Sequence, residues 1–407
     1  MLTIDEALSH VLKHARTLLP TNVALEDALG HVLAEDIPSD IDSPPHDKSI
    51  VDGYAIRAAD LTADIVELNV IEEVVAGQIP ALSVERGQAT RIMTGAPIPS
   101  GADSVVMVER TVLLPAESPS STAASVRIEP GPFSAGQNIA RRGTSMRVGE
   151  IVLKAGNVIR PIEIGVLAEV GRTRVGVVRQ PSVAVLATGN ELVPAVETPQ
   201  PAHIRNSNGP MLAALATKAG GKAIDLGIGR DDEIHLRELI TKGLDADILV
   251  LSGGVSAGVL DLVPQVLKDL GVEQIFHKVS LKPGKPLWFG VRNVDERRTL
   301  VFGLPGNPVS SLVCFELFVR PAIAALGSQP SNGLKRFSAA LANDFVHRGD
   351  RPTYHPARMV DGAIQPLPWQ GSGDLRTLAE ATVLAHFPPG DRSYRAGESI
   401  EVLVLAE

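Results

Sequence analysis

Carboxylates and ammonium groups at glycine- and proline-rich turns are the residues of this 407-residue chain best placed to do chemistry. Glu191, Asp231, Asp232 and Asp261 each fall in a turn or at a helix start, and Lys282-Pro283-Gly284-Lys285-Pro286 sets two cations on a proline-stiffened turn. Carboxylates repel anions, so their company with Lys282 and Lys285 needs a reason. A divalent cation held by the acids, with the lysines neutralising a phosphorylated substrate, supplies one. Taken singly, each acid reads more simply as a helix cap or a solvated charge, and the lysines as a solvated turn. Asn307-Pro308 after Gly306 has the form of an N-cap followed by proline at the first helical position. Such a helix would aim its positive end at an oxyanion.

Two other patterns carry less. Gly254-Val255-Ser256-Ala257-Gly258 matches the G-x-S-x-G nucleophile elbow after a strand. A serine hydrolase fits poorly, because Gly253 intervenes and no downstream histidine has a context that marks it as the base. Asp52-Gly53 and Thr94-Gly95-Ala96-Pro97 are turn chemistry on their residues alone.

The elements that must hold these turns are short apolar runs. Val183-Ala184-Val185-Leu186 leads into Gly189-Asn190-Glu191, Ile248-Leu249-Val250-Leu251 into Gly253-Gly254, and Leu300-Val301-Phe302 into Gly303-Leu304-Pro305-Gly306. Continuous β-branched runs of this length predict strands buried on both faces. Helical patterns over 209–219, 232–243 and 260–270 alternate with them. The alternation predicts a doubly wound, mostly parallel α/β sheet over residues 181–328, with ligands bound outside the carboxyl ends of its strands.

The flanks differ. Thr3-Ile4-Asp5-Glu6 is a capping box that opens an amphipathic helix, and 158–171 reads as helical from Pro161. Residues 42–143 show frequent turns and short strands, which predict an inserted β domain with a mobile loop over 115–125. Residues 335–407 predict a small β-barrel-like or sandwich domain.

Hydrophobic residues at 44% and charged residues at 21% mark a globular chain, too long for one core. A net charge of −9 with 3% aromatics argues against nucleic-acid and anionic-membrane surfaces. The single cysteine, Cys314, sits in an apolar pattern and reads as a buried structural thiol. No apolar run reaches the ~20 residues of a membrane span. Asp5 and Glu6 stand where a signal peptide would be basic, so a cytoplasmic protein is expected.

The motifs together resemble the molybdopterin molybdenumtransferase family, the MoeA and gephyrin E-domain type. The matching stretches are 51–55 (VDGYA), 91–97 (RIMTGAP), 188–192 (TGNEL), 206–209 (NSNG), 252–256 (SGGVS), 282–286 (KPGKP) and 303–310 (GLPGNPVS), in the family's order. The resemblance implies four domains: an elongated helical domain from 1–41 and 144–180, the inserted β domain, the α/β domain that binds molybdopterin, and the C-terminal β domain. It implies a reaction in which molybdate and adenylylated molybdopterin yield AMP and a molybdenum-loaded pterin, with Mg2+ as the metal. Asp52, Thr94, Glu191, Asp231, Asp261, Lys278 and Lys282 correspond to catalytic residues, with Glu191, Asp231 and Asp261 as the metal candidates. The same motifs supply the substrate-binding positions Gly189, Ser207, Asn208, Gly253, Gly254, Ser256, Gly284, Lys285, Pro305, Gly306, Asn307 and Pro308. A homodimer with shared sites is implied, with the molybdopterin adenylyltransferase and recipient molybdoenzymes as further partners. A non-catalytic, pterin-binding scaffold of the gephyrin type is the alternative. Asn190 departs from the family's usual aspartate, which removes one possible metal or solvent ligand.

Overall fold

A computed structural model describes residues 1–61, 64–114, 124–254, 262–330 and 333–405. Ser256 and Asp261, and most of the loop expected over 115–125, lie outside those residues. The chain forms two compact units. One comprises residues 1–35, 155–161 and 174–407, the other 36–154 and 162–173.

The first unit is built on a six-stranded sheet. Its strands are β1 (Ser182–Thr188), β2 (Lys222–Gly229), β3 (Ile248–Ser252), β4 (Glu273–His277), β5 (Trp288–Val294) and β6 (Arg297–Leu304), in the order β2-β1-β3-β6-β5-β4. β2, β1, β3 and β6 pair in parallel, and β5 runs antiparallel to β6 and β4. The central strands β1 and β3 are apolar along almost their whole length because both faces are covered. Val183, Val185, Ile248 and Val250 point into one core with Leu212, Ala216, Phe315 and Phe318. Their neighbours Ala184, Leu186, Leu249 and Leu251 point into the other with Leu236, Ile240, Val266 and Leu267. Period-2 side-chain alternation thus distributes one continuous run between two cores. The helices are α1 (Asn208–Lys218) and α4 (Pro308–Leu326) on the first face, and α2 (Glu233–Gly243) and α3 (Val263–Asp269) on the second.

α4 has the length and hydropathy of a membrane span, but 89% of its apolar window is buried inside the protein. It also carries a buried ion pair between Glu316 and Arg320 one turn apart, with Arg320 Nη2 donating to Glu316 Oε1 at 3.0 Å. It is a core helix. Cys314 lies on it, fully buried, and burial pushes its thiol pKa up.

In the same unit, residues 336–404 form a five-stranded antiparallel sheet that curls until Leu341 bridges Ile364. The segments expected as a helical domain are mixed. Helices Ile4–His14 and Pro161–Glu169 are present, and the capping box at Thr3 and Glu6 is formed. Pro20–Ala24, Arg174–Val178 and Val32–Leu33, however, make a three-stranded sheet. Val23, Val175 and Val177 supply β-branched positions that favour strand over helix.

The second unit carries a six-stranded sheet whose middle includes Gly53–Ile56 and Gln88–Ile92. Gly53 is obligatory there, since a Cβ would stand 1.9 Å from the Val106 carbonyl oxygen. Its core gathers Tyr54, Ile56, Leu68, Val106 and Val126.

One carboxylate fastens the amino ends of the central strands. Asp247 receives both terminal nitrogens of Arg179 at 2.8 Å, and the N–H and hydroxyl of Ser182 at 2.7 Å each. Its own carbonyl accepts from Leu300 N–H at 2.9 Å, so β1, β3 and β6 share this one anchor. Burial alone would raise the Asp247 pKa, but the bonds from Arg179 and Ser182 outweigh it and hold the carboxyl below its ordinary range. The resulting stability is present above the ordinary carboxylate pKa and is lost as pH falls through the depressed value. Asp247→Asn is therefore expected to destabilise the unit by about 1–3 kcal/mol at neutral pH, with the deficit closing in acid. Urea unfolding at the two pH values measures this, and equal midpoints at neutral pH would show the anchor contributes nothing.

Candidate functional site

A cavity of about 280 Å³ opens at the carboxyl ends of β1, β3 and β6. Its lining brings together Thr188 at the end of β1 and Glu191 beyond it, residues 204–208 ahead of and into α1, Ser252 at the end of β3, and Gly306, Asn307 and Pro308 after β6. Gly373 and Leu375 of the C-terminal domain complete it. Of the residues expected at a substrate site, Glu191, Ser207, Asn208, Gly306, Asn307 and Pro308 meet here.

The floor is a polar knot. Asn208 donates its two amide hydrogens to Ser252 Oγ at 2.8 Å and to the Gly306 carbonyl at 2.7 Å. Ser311 donates to the Pro305 carbonyl, which ties the proline turn to α4. Both donors of Asn208 are consumed, so the amide orientation is fixed and Oδ1 is left as an acceptor. Glycines let the turns close over Thr188. Gly253 and Gly254 have φ of +94° and +63°, and a Cβ on either would stand 2.5 Å from Thr188 O or 2.7 Å from Thr188 Oγ1. Gly189 serves Glu191 the same way, since its missing Cβ leaves room for the carboxylate, whose Oε2 would be 2.3 Å from it.

Asn307 stands at the cap position of α4, but its side chain does not cap the helix. It donates instead to Ser372 Oγ at 2.9 Å, drawing the C-terminal domain to the cavity rim. This corrects the expected cap. Pro308 does occupy the first helical position, where its lack of an N–H costs nothing.

Among the described residues of the same unit, Asp231, Lys278, Lys282 and Lys285 are not part of the cavity lining. Asp231 follows β2 in a turn bonded to Asn190. Lys278 has a left-handed φ of +74° and donates its N–H to Leu287 O at 2.8 Å. Lys282 is half-buried, and its ammonium rests on the Arg348 carbonyl at 3.2 Å. Its backbone pairs with Pro352 and Tyr354. Lys285 is exposed on the same turn. Under this turn, Cys314 Sγ lies 2.6 Å from where a Gly284 Cβ would be. Near Lys282, burial first and the lysine charge second push the His347 pKa down.

In the second unit, Asp52 and Thr94 form a pair across 42 positions of sequence. The Thr94 N–H and hydroxyl donate to Asp52 Oδ1 at 2.6 and 2.8 Å. Those two bonds, the backbone one foremost, hold the Asp52 carboxyl below its ordinary pKa.

Among the described residues, no group of three or more His, Cys, Asp or Glu side chains is arranged to hold a metal. Glu191 and Asp231 are the two described candidates.

Sequence reasoning overlooked residues 372–375. The signal was a glycine-flanked turn, Gly371-Ser372-Gly373, before Asp374, which caps its helix by accepting from Thr377 N–H at 3.0 Å.

Comparison with known proteins agrees along the whole chain. A model of the MoeA N-terminal region (domain I and II) matches residues 2–171. One of a probable molybdopterin binding domain matches 184–325, and one of the MoeA C-terminal region (domain IV) matches 338–405. The molybdopterin molybdenumtransferase of Staphylococcus aureus (strain COL) is 35% identical over 413 residues, covering 98% of this chain and 95% of that protein. That of Staphylococcus epidermidis (strain ATCC 12228) is 34% identical over 412 residues, covering 99% and 95%. The crystal structure of the molybdopterin biosynthesis MoeA protein from Pyrococcus horikoshii superimposes with a TM-score of 0.82 at 32% identity over 100% of both chains. With its cleft at the strand ends and relatives matched from end to end, the chain belongs to the MoeA-type molybdopterin molybdenumtransferase family.

Proposed function

We infer that this chain inserts molybdenum from molybdate into adenylylated molybdopterin and releases AMP. The observation that carries the reading is the full-length match to molybdopterin molybdenumtransferases, 35% identical over 98% of the chain. The same match favours catalysis over a purely scaffolding role, since the acidic and basic positions expected of an enzyme are present at Asp52, Glu191, Asp231, Asp261, Lys278 and Lys282. Molybdate-dependent AMP release by the purified protein tests it, and pterin binding without AMP release would favour the scaffold.

The chain's own groups suit two anionic substrates. The cavity is lined by Asn208, Ser252 and Asn307, whose side chains are held by bonds to one another, to Gly306 O and to Ser372, a fixed polar surface that can orient a heterocycle without reorganising. Lys282 uses one of its three ammonium hydrogens on Arg348 O, leaving donors for an oxyanion. Glu191, Asp231 and Asp261 would hold magnesium, which when bound supplies charge neutralisation at the phosphoanhydride. The working form is a cytoplasmic homodimer in which Asp52 and Thr94 of one subunit serve the cavity of the other.

Three outcomes are expected. Asp261→Asn should lower turnover about a hundredfold to a thousandfold while the protein stays folded; near-normal AMP release would remove Asp261 from the site. Lys282→Ala should raise the KM for an anionic substrate about tenfold or more, and the defect should shrink with salt, because screening weakens the lysine's attraction in the parent and leaves the alanine variant little to lose. Unchanged KM values at low and moderate ionic strength would leave Lys282 a solvated turn residue.

Site sharing is tested by mixing inactive Asp52→Asn and Asp261→Asn subunits. Each heterodimer then has one site with both lesions and one with neither. Random exchange should restore up to about a quarter of normal activity, because half the dimers hold one good site of two. Verified heterodimers with no recovery would place both residues in a single chain's site.

A further inference from the structure

Asn190 and Asp231 sit on the turns that follow β1 and β2, and their bonds are reciprocal. The Asn190 N–H donates to Asp231 Oδ2 at 3.2 Å, and the Asp231 N–H donates to Asn190 Oδ1 at 3.1 Å. The backbone continues the seam on both sides. Gly189 N–H donates to Gly229 O at 3.1 Å, and Arg230 Nη1 donates to the carbonyls of Asn190 at 3.2 Å and Leu192 at 2.9 Å. Those two carbonyls flank Glu191. One helix turn on, Asp232 Oδ1 accepts from His235 N–H at 2.9 Å and so pins the far side of the Asp231 turn to α2.

The chemistry of the pair is asymmetric. Asp231 commits Oδ2 to a backbone donor and keeps Oδ1 outside this exchange. Asn190 spends its side-chain oxygen on the turn itself, so that atom orients a neighbour and is not presented to a ligand. A carboxylate on an exposed turn otherwise samples several rotamers, and each bond to its own turn removes some of that freedom.

We propose that Asn190 is a positioning residue for the reaction, whose side-chain oxygen fixes the turn carrying Asp231 so that its carboxylate is presented in one orientation. This rests on reading Asp231 as an active-site acid. The role needs an acceptor at one atom and no charge, so aspartate can replace asparagine and alanine cannot. Both residues are exposed, so neither substitution empties a core.

The test is AMP release by the full-length protein from adenylylated molybdopterin and molybdate, with kcat and KM separated. Asn190→Ala should lower kcat about tenfold, the factor that one net hydrogen bond can supply, with both KM values within about twofold. Asn190→Asp should stay within about threefold of the parent kcat. In a double-mutant cycle, Asn190→Ala added to Asp231→Ala should cause no further loss, because the group it positions is gone. The proposal is overturned if Asn190→Ala keeps its kcat, if Asn190→Asp is as poor as alanine, or if the alanine loss persists in full on Asp231→Ala. Parental activity in Asp231→Ala alone would remove the acid that Asn190 serves and overturn the proposal with it. An unmodified protein that releases no AMP would instead overturn the functional reading on which both depend.

Discussion

A sheet that is dry on both faces can do polar chemistry only at its ends. The apolar side chains along β1, β3 and β6 are committed to one core or the other, so the polar groups gather where the strands stop. The two ends are used differently. At the amino ends Asp247 is fully engaged by Arg179 and Ser182, a closed set of bonds that holds the strands in register. At the carboxyl ends the bonds are left open: Asn208 has an acceptor unspent, and Lys282 has donors to spare. The anchored end lets the open end keep its shape.

Glycine and proline convert that arrangement into a cavity. Gly253 and Gly254 pack against Thr188 where any side chain would collide, and the Pro305 carbonyl is tied to α4 through Ser311. Rigid turns of this kind place the donors at little further entropic cost when a ligand arrives. Asn307 shows that the same residue can serve two masters. Its backbone begins the helix, while its side chain reaches Ser372 and brings the C-terminal domain to the rim.

Much of this was legible from residues alone, for physical reasons. The runs in β1, β3 and β6 announce themselves because burial on both faces demands unbroken apolar sequence. Asp232 was foreseen at a helix start, and it caps α2. β2 was not read as a strand, because Lys222 to Gly229 lies at the sheet edge and mixes Lys222 and Asp225 with its apolar residues. Nor were β4 and β5, whose antiparallel pairing depends on partners elsewhere in the chain. The place of Gly373 and Leu375 in the cavity was invisible for the same reason, since a contact across 65 positions, as between Asn307 and Ser372, leaves no local trace. Asp52 and Thr94 looked like ordinary turns; only their family resemblance singled them out, and the bonds between them are a tertiary fact.

The position of Cys314 has a practical side. The chain's single thiol is sealed beneath the turn that carries Lys282 and Lys285, with its hydrogen directed at the Gly284 carbonyl at 3.5 Å. Burial keeps it protonated, so toward alkylating reagents the folded protein behaves as though it had no cysteine. Any reaction at that sulfur must wait for the structure around it to open. The rate of modification is then a native clock for the opening of the core around α4, obtained without adding a probe to the molecule.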